Sequence, residues 1–216
     1  MTTKLISRVY YKTRSILRSK NKRFPCEWHP TDVKRFTKLV ENVAGDFAEI
    51  GVWRGETSRR LIPIAAAQNK QTHLIDSFSG MAEPGRFDSG VHPTGQFDVG
   101  GLAGFEAIMR RYHFASNQYH AWQGYIPHCF EKVPSDLRFS FVILDVDNYE
   151  PTRDSLAFIW PRLNPGGILA LDDFYPSCEV DSTKAIKEFL RDRNDYYFMD
   201  FFNYQLFLRK DARPGG

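Results

Sequence analysis

The stretch Phe139-Ser-Phe-Val-Ile-Leu-Asp-Val-Asp-Asn-Tyr-Glu-Pro-Thr152 decides the fold of this chain: an apolar run ends abruptly in two carboxylates, Asp145 and Asp147. A short run without polar alternation reads as a strand covered on both faces, and such strands build parallel sheets. Gly166-Gly-Ile-Leu-Ala-Leu-Asp-Asp173 repeats the arrangement, with Asp172 standing 27 residues after Asp145. In an open parallel sheet, ligands sit outside the carboxyl ends of the strands. Two neighbouring strands of this kind can place Asp145, Asp172 and Asp173 around one hard cation. The competing reading makes these acids helix caps and solvated strand ends.

Working outward, Asp46-Phe-Ala-Glu-Ile-Gly51 reads as another strand, followed by Val52, Trp53, Arg54, Gly55, Glu56, Thr57 and a helical stripe of Leu61, Ile62 and Ala65. A glycine turn between strand and helix lets the backbone approach a ligand, because glycine has no Cβ to collide with it. Gln71-Thr-His-Leu-Ile-Asp76 is a second strand, ending in an acid 25 residues after Gly51, close to where a nucleotide-binding fold sets its ribose carboxylate. Together they point to a nucleoside cofactor. Residues 118–124 read as a third strand whose end, near Trp122 to Tyr125, is a candidate adenine rim. Between the second and third strands, Ser77 to Gly104 is rich in Gly, Ser, Pro and Asp, and Phe105, Ile108 and Met109 then suggest a helix. A loop that long in a compact domain is usually functional or disordered, and here it reads as a substrate lid.

Helices are expected where apolar residues recur at three- and four-residue spacing. Val33, Phe36, Val40 and Val43 mark one, capped by Thr31 or Asp32 and ended by Gly45; Leu156, Ile159, Trp160 and Leu163 mark another, opened by Pro151; Ala185, Ile186, Phe189 and Leu190 mark a third. Residues 196–202 and 205–209 flank Asn203-Tyr204, a connection so short that the strands must be antiparallel. The fold class is therefore α/β: a Rossmann-like, seven-stranded, mostly parallel sheet with a C-terminal antiparallel hairpin and helices on both faces.

The 216 residues suit one domain, expected over 25–210, preceded by a basic arm over 1–24 and followed by a disordered tail over 211–216. The arm carries eight Lys and Arg and no acid, so the formal charge of +3 leaves the remainder at about +3 − 8 = −5. That distribution argues against a nucleic-acid binder. Ile6, Val9, Tyr10, Thr13, Ile16 and Leu17 give the arm an amphipathic helical pattern, suited to an anionic surface or to self-association. Cys26, Cys129 and Cys178 are odd in number and widely spaced, which fits neither a disulfide framework nor a zinc site. Without a long apolar run or a secretory signal pattern, the expected location is the cytoplasm.

The segments Glu49-Ile-Gly-Val-Trp-Arg-Gly55, Ile75-Asp-Ser-Phe-Ser-Gly80, Leu144 to Thr152 and Leu163 to Asp173 give the chain a resemblance to the macrocin O-methyltransferase family, and more distantly to catechol O-methyltransferase. The resemblance implies a class I S-adenosylmethionine-dependent methyltransferase. It implies that Glu49, Gly51, Gly55 and Thr57, with Val52 and Trp53 in the same turn, hold the methionine end of the cofactor. Asp76 would take the ribose, with Ser77, Gln123, Gly124 and Asp145 on the same rim, and Asp145, Asp172 and Asp173 would bind magnesium. Asp147 ranks as a substitute ligand or an outer group.

The chemistry expected is methyl transfer to one hydroxyl of a vicinal diol on a small molecule or glycan, above all a sugar. Asp145 serves the metal-activated alcohol, and His92, on the lid, is the candidate general base. Carboxylates suit magnesium, whereas zinc or iron would call for a Cys/His cluster. The alternatives are a metal-independent methyltransferase on another small acceptor and a non-catalytic cofactor-binding module. An NAD-linked oxidoreductase is disfavoured because no GxGxxG follows the first strand.

Overall fold

Six consecutive apolar or small residues with no charge can lie in a strand only if both faces of its sheet are covered. β4 (Phe139–Leu144) is such a strand, buried along its whole length. Its side chains alternate: Val142 and Leu144 join one core cluster, Phe141 and Ile143 the other. A computed structural model describes residues 28–191 and 193–212. The arm expected over residues 1–24, and all but two residues of the tail over 211–216, lie outside the described residues.

Among the described residues, seven strands form one sheet in the order β3-β2-β1-β4-β5-β7-β6. They are β1 (Asp46–Ile50), β2 (Thr72–Asp76), β3 (His120–Gln123), β4, β5 (Leu163–Leu171), β6 (Tyr196–Phe202) and β7 (Gln205–Lys210). The first five run parallel, and β7 pairs antiparallel with both β5 and β6. The expected seven-stranded sheet with a C-terminal hairpin is what the chain forms. The strand order reverses between β1 and β4, where an open sheet leaves a crevice.

One face is covered by α1 (Pro30–Lys38) and α2 (Ser58–Ala67), whose Val33, Phe36, Leu61 and Ala65 pack with Phe47, Phe141 and Ile168. The other is covered by α4 (Tyr149–Arg162) and α5 (Asp181–Arg191), through Leu156, Ile159 and Ile186 against Val142, Leu144 and Leu169. α3 (Gly101–Arg111) buries Phe105 and Met109 in a smaller cluster with Ile62, Leu74 and Phe78. No helix of the described residues is long and apolar enough to cross a membrane.

Local boundaries differ from the sequence reading in several places. The helix expected to open at Pro151 starts at Tyr149, and the third strand is His120–Gln123 instead of 118–124. The cap of α1 is His29, whose Nδ1 accepts from the Thr31 backbone N–H, instead of Thr31 or Asp32. Pro30 then takes the first helical position, where a missing N–H costs nothing. The helix stops at Lys38 and not near Gly45; Val40 remains fully buried from the following turns. Leu163, expected on the helix, is the first residue of β5 and buried there. Apolar spacing records burial, and a buried side chain can be supplied by a turn or a strand as well as by a helix.

Candidate active site

The parallel ladders continue one residue past the strand ends and so align the site. Gly51 N–H donates to Ile75 O, Asp145 N–H to Ile50 O, Asp172 N–H to Leu144 O and Gly124 N–H to Asp76 O, at 2.8 to 3.0 Å. Gly51, Asp76, Gly124, Asp145 and Asp172 therefore stand along one edge of the sheet, across the crevice.

Gly51 adopts φ +85°, and a Cβ there would lie 1.6 Å from the carbonyl oxygen of Asp145. Gly55 (φ +74°) lies against Met109 Sδ, 2.7 Å from its notional Cβ. The turn between them is tied to β2: Asp76 Oδ2 accepts from the N–H groups of Val52 (2.6 Å) and Trp53 (3.0 Å), and Oδ1 from Phe78 N–H (2.6 Å). Two of these bonds hold the glycine turn, while Oδ1 serves the Phe78 N–H and, at 3.4 Å, the Ser77 hydroxyl that follow Asp76 in the chain. Glu49 is buried and accepts from Ser58 Oγ at 2.5 Å. Burial, then the nearby Asp145 and Asp76 charges, raises its carboxyl well above the usual range. Thr57 is buried at the N-cap of α2. Gln123 Nε2 donates to Ser77 O at 3.4 Å. Trp122 is taken by packing, with its Nε1–H donating to His73 Nδ1, whereas Tyr125 is 44% exposed and its hydroxyl donates to Ser79 O.

Oxygens of Asp145, Asp147 and Asp173 all lie within 4.8 Å of one another. Sequence spacing nominated Asp145, Asp172 and Asp173; the geometry brings Asp147 into the group and sets Asp172 behind it, hydrogen-bonded to Asp145 and Gln205. The reason lies in the backbone. Asp147 has φ +59° and Asp173 φ +53°, conformations that Asp tolerates better than most residues. At Asp147 the chain turns so tightly that Asn148 N–H donates to Val146 O at 2.6 Å, which swings the carboxylate towards the cluster. The first turn of α5 holds both turns in place: Ser182 N–H donates to Asp147 O, and the Ser182 and Thr183 hydroxyls donate to Asp173 O.

Crowding of acids away from water decides their protonation. Burial, then the Asp172 and Asp173 charges, holds Asp145 well above the ordinary carboxylate range. Burial and Asp145 push Asp147 up to about 9, and burial and Asp173 push Asp172 up to about 7. A divalent cation would reverse that penalty, so the donor set fits a hard, oxygen-seeking metal.

A profile of the family described as Macrocin-O-methyltransferase (TylF) matches residues 33–197, which include every strand end described above except the hairpin. The chain belongs to the macrocin O-methyltransferase family. Among its relatives is the tetracenomycin-C 4'-O-methyltransferase of Streptomyces olivaceus that acts on a dimethoxy-rhamnosyl compound, 31% identical over 64% of this chain and 56% of that protein. Another is mycinamicin III 3''-O-methyltransferase of Micromonospora griseorubida, 28% identical over 72% of this chain and 64% of that protein. The chain thus spans just over half to just under two thirds of the length of these relatives. The solved O-methyltransferase NovP superposes with a TM-score of 0.71 at 22% identity, covering 84% of this chain and 79% of that one, which shows the class I methyltransferase fold.

Within this macrocin O-methyltransferase frame, the structure brings one further expected residue to the acids. His92 Nε2 stands 3.5 Å from Asp147 Oδ1, and its Nδ1 is 3.2 Å from Gln96 Oε1. The loop that carries it, expected to be a lid, is pinned down. Asp88 Oδ1 accepts from Tyr149 N–H at the start of α4, Ser89 N–H donates to Asp181, and Asp181 N–H donates to Phe87 O. What sequence reasoning missed is this docking, and Tyr175, whose hydroxyl donates to Asp173 and whose ring packs against Tyr204. That the Asp88 carboxylate accepts from the first N–H of a helix 61 residues away left no local signal.

Proposed function

We propose that this chain is an S-adenosylmethionine- and magnesium-dependent O-methyltransferase that methylates one hydroxyl of a vicinal diol on a sugar of a glycosylated natural product or glycan. The observation that carries the proposal is the convergence of Asp145, Asp147 and Asp173 at the β1/β4 crevice, beside the glycine turn. The relatives' names, which specify hydroxyls of glycosylated compounds, support a sugar as the acceptor. The vicinal diol is inferred from the acid cluster, since a metal held there would chelate two adjacent hydroxyls.

In this reading Asp145, Asp147 and Asp173 hold the cation, and Asp172 keeps Asp145 oriented. Bound together, the sulfonium cofactor supplies an activated methyl group and magnesium lowers the proton affinity of a nearby hydroxyl. The chain's own work is alignment and proton transfer. Glu49, Gly51, Gly55 and Thr57, with Val52 and Trp53, line the place for the methionine end; Asp76, Ser77, Gln123 and Gly124 line that for the nucleoside. His92 takes the acceptor proton at Nε2; Gln96 fixes the Nδ1 tautomer, and Asp147 stabilises the imidazolium that results. Turnover should vanish with chelator and return with magnesium, and a deoxy sugar lacking either hydroxyl should not be methylated. Equal turnover of diol and mono-ol in chelator would end the metal-dependent reading.

Cofactor binding has its own test. Asp76→Ala is expected to weaken S-adenosylhomocysteine roughly tenfold or more in calorimetry, since a charge-assisted hydrogen bond contributes about 1.5–3 kcal/mol. Because Asp76 also ties the turn to β2, the melting temperature should fall as well. Unchanged affinity would remove Asp76 from the ribose.

A further inference from the structure

The hairpin turn between β6 and β7 uses a residue that such turns avoid. Asn203 and Tyr204 both have positive φ, +50° and +61°. A two-residue turn of this kind favours Asn-Gly, because a residue with a Cβ is strained at the second position and a bulky one more so. Strain of this sort persists where the side chain is needed.

The Tyr204 ring is 51% exposed, so it is not kept for the core. It lies against Tyr175, itself 40% exposed, with ring centroids 4.4 Å apart and planes inclined by 32°. The Tyr175 hydroxyl donates to Asp173 Oδ1 at 3.2 Å, and Tyr204 O accepts from Phe174 N–H at 2.9 Å. The next residue, Gln205, is buried and hydrogen-bonds Asp172. Tyr204 of the hairpin and Tyr175 of the segment after β5 thus form an exposed aromatic surface that is joined to the acid cluster through the Tyr175 hydroxyl.

We infer that Tyr175 and Tyr204 form a stacking platform for the acceptor's pyranose ring, holding its C–H face while the vicinal hydroxyls point at the carboxylates; this rests on the sugar-diol reading above. An aromatic ring offers a flat apolar face with little conformational freedom to lose, which suits the hydrogen-bearing face of a sugar. The Tyr175 hydroxyl is engaged by Asp173, so the ring is held in place before the sugar arrives.

The test measures binding of methyl α-rhamnopyranoside by saturation-transfer NMR, in the presence of magnesium and S-adenosylhomocysteine, and KM and kcat with a glycosylated diol acceptor. Tyr204→Asn keeps a residue that accepts the turn while deleting the ring. The expected result is dissociation constant and KM raised roughly tenfold with kcat nearly constant, and a melting temperature no lower than the parent's. Tyr204→Phe should restore binding to within about twofold, because the face and not the hydroxyl does the stacking. Tyr204→Asn binding the glycoside as tightly as the parent overturns the platform while leaving the methyltransferase reading intact. A parent protein that binds no glycoside, yet methylates a non-sugar diol, overturns the sugar reading and the platform with it.

Discussion

Gly51→Ala is expected to cost more than ~4 kcal/mol of stability, or to prevent folding altogether. The added methyl would lie 1.6 Å from Asp145 O and 2.5 Å from the carbon bearing it, both backbone atoms, in a conformation with φ +85°. Relief requires that β1 and β4 part at their carboxyl ends, where Asp145 N–H donates to Ile50 O at 2.8 Å. Any molecule that did fold would carry Asp145 away from Asp147 and Asp173, so magnesium affinity should fall with stability. Gly90→Ala is the control: it too has positive φ (+75°), but a Cβ there meets nothing within 4 Å. It should cost only the left-handed penalty of about 1–2 kcal/mol. Denaturant unfolding of both variants checks this, and near-equal losses would mean that the close approach of β1 to β4 is wrong.

Magnesium is expected to raise the melting temperature at pH 8 much more than at pH 5. Asp145 and Asp147 are held above the usual carboxylate range, Asp147 at about 9, and Asp172 behind them at about 7. The folded protein without metal therefore binds more protons than the unfolded chain, whose carboxyls titrate near ~4. Stability from these groups is fully present below that value and is lost as pH rises through the folded pKa values. A cation displaces the same protons, so its advantage grows across that window. At a concentration about a hundred times its dissociation constant it adds ~2.7 kcal/mol, or roughly 5–10 °C for a domain of this size. Asp147→Asn should lose part of that gain. An equal magnesium shift at both pH values, or none at pH 8, would show that these acids do not hold the metal.

The two acid-tipped strands were legible because burial on both faces leaves no freedom in composition: β4 and β5 must be apolar until they emerge, and the carboxylates at their ends mark the emergence. The glycine turn after β1 was legible for a related reason, since a backbone packed against Asp145 O tolerates no Cβ. The hairpin was legible from chain length alone, as two residues can join only antiparallel neighbours. Helix ends were less visible. Val40 and Leu163 are buried like their helical neighbours but sit in a turn and a strand, and burial alone does not tell these apart.

The amino-acid sequence by itself determined the sheet, the edge at which the site lies and the chemical types gathered there, because each depends on residues close together in the chain or on simple alternation. Tertiary structure alone decided which carboxylates converge. Asp147 enters the cluster through a left-handed turn braced by Ser182, and Asp172 withdraws to Asp145 and Gln205. It also decided that His92 reaches Asp147 from a loop pinned by Asp88 and Asp181, and that Tyr204 meets Tyr175 beside Asp173. These arrangements join residues far apart in the chain through hydrogen bonds and backbone angles whose cost is met by the packed scaffold, so no local pattern of residue types records them.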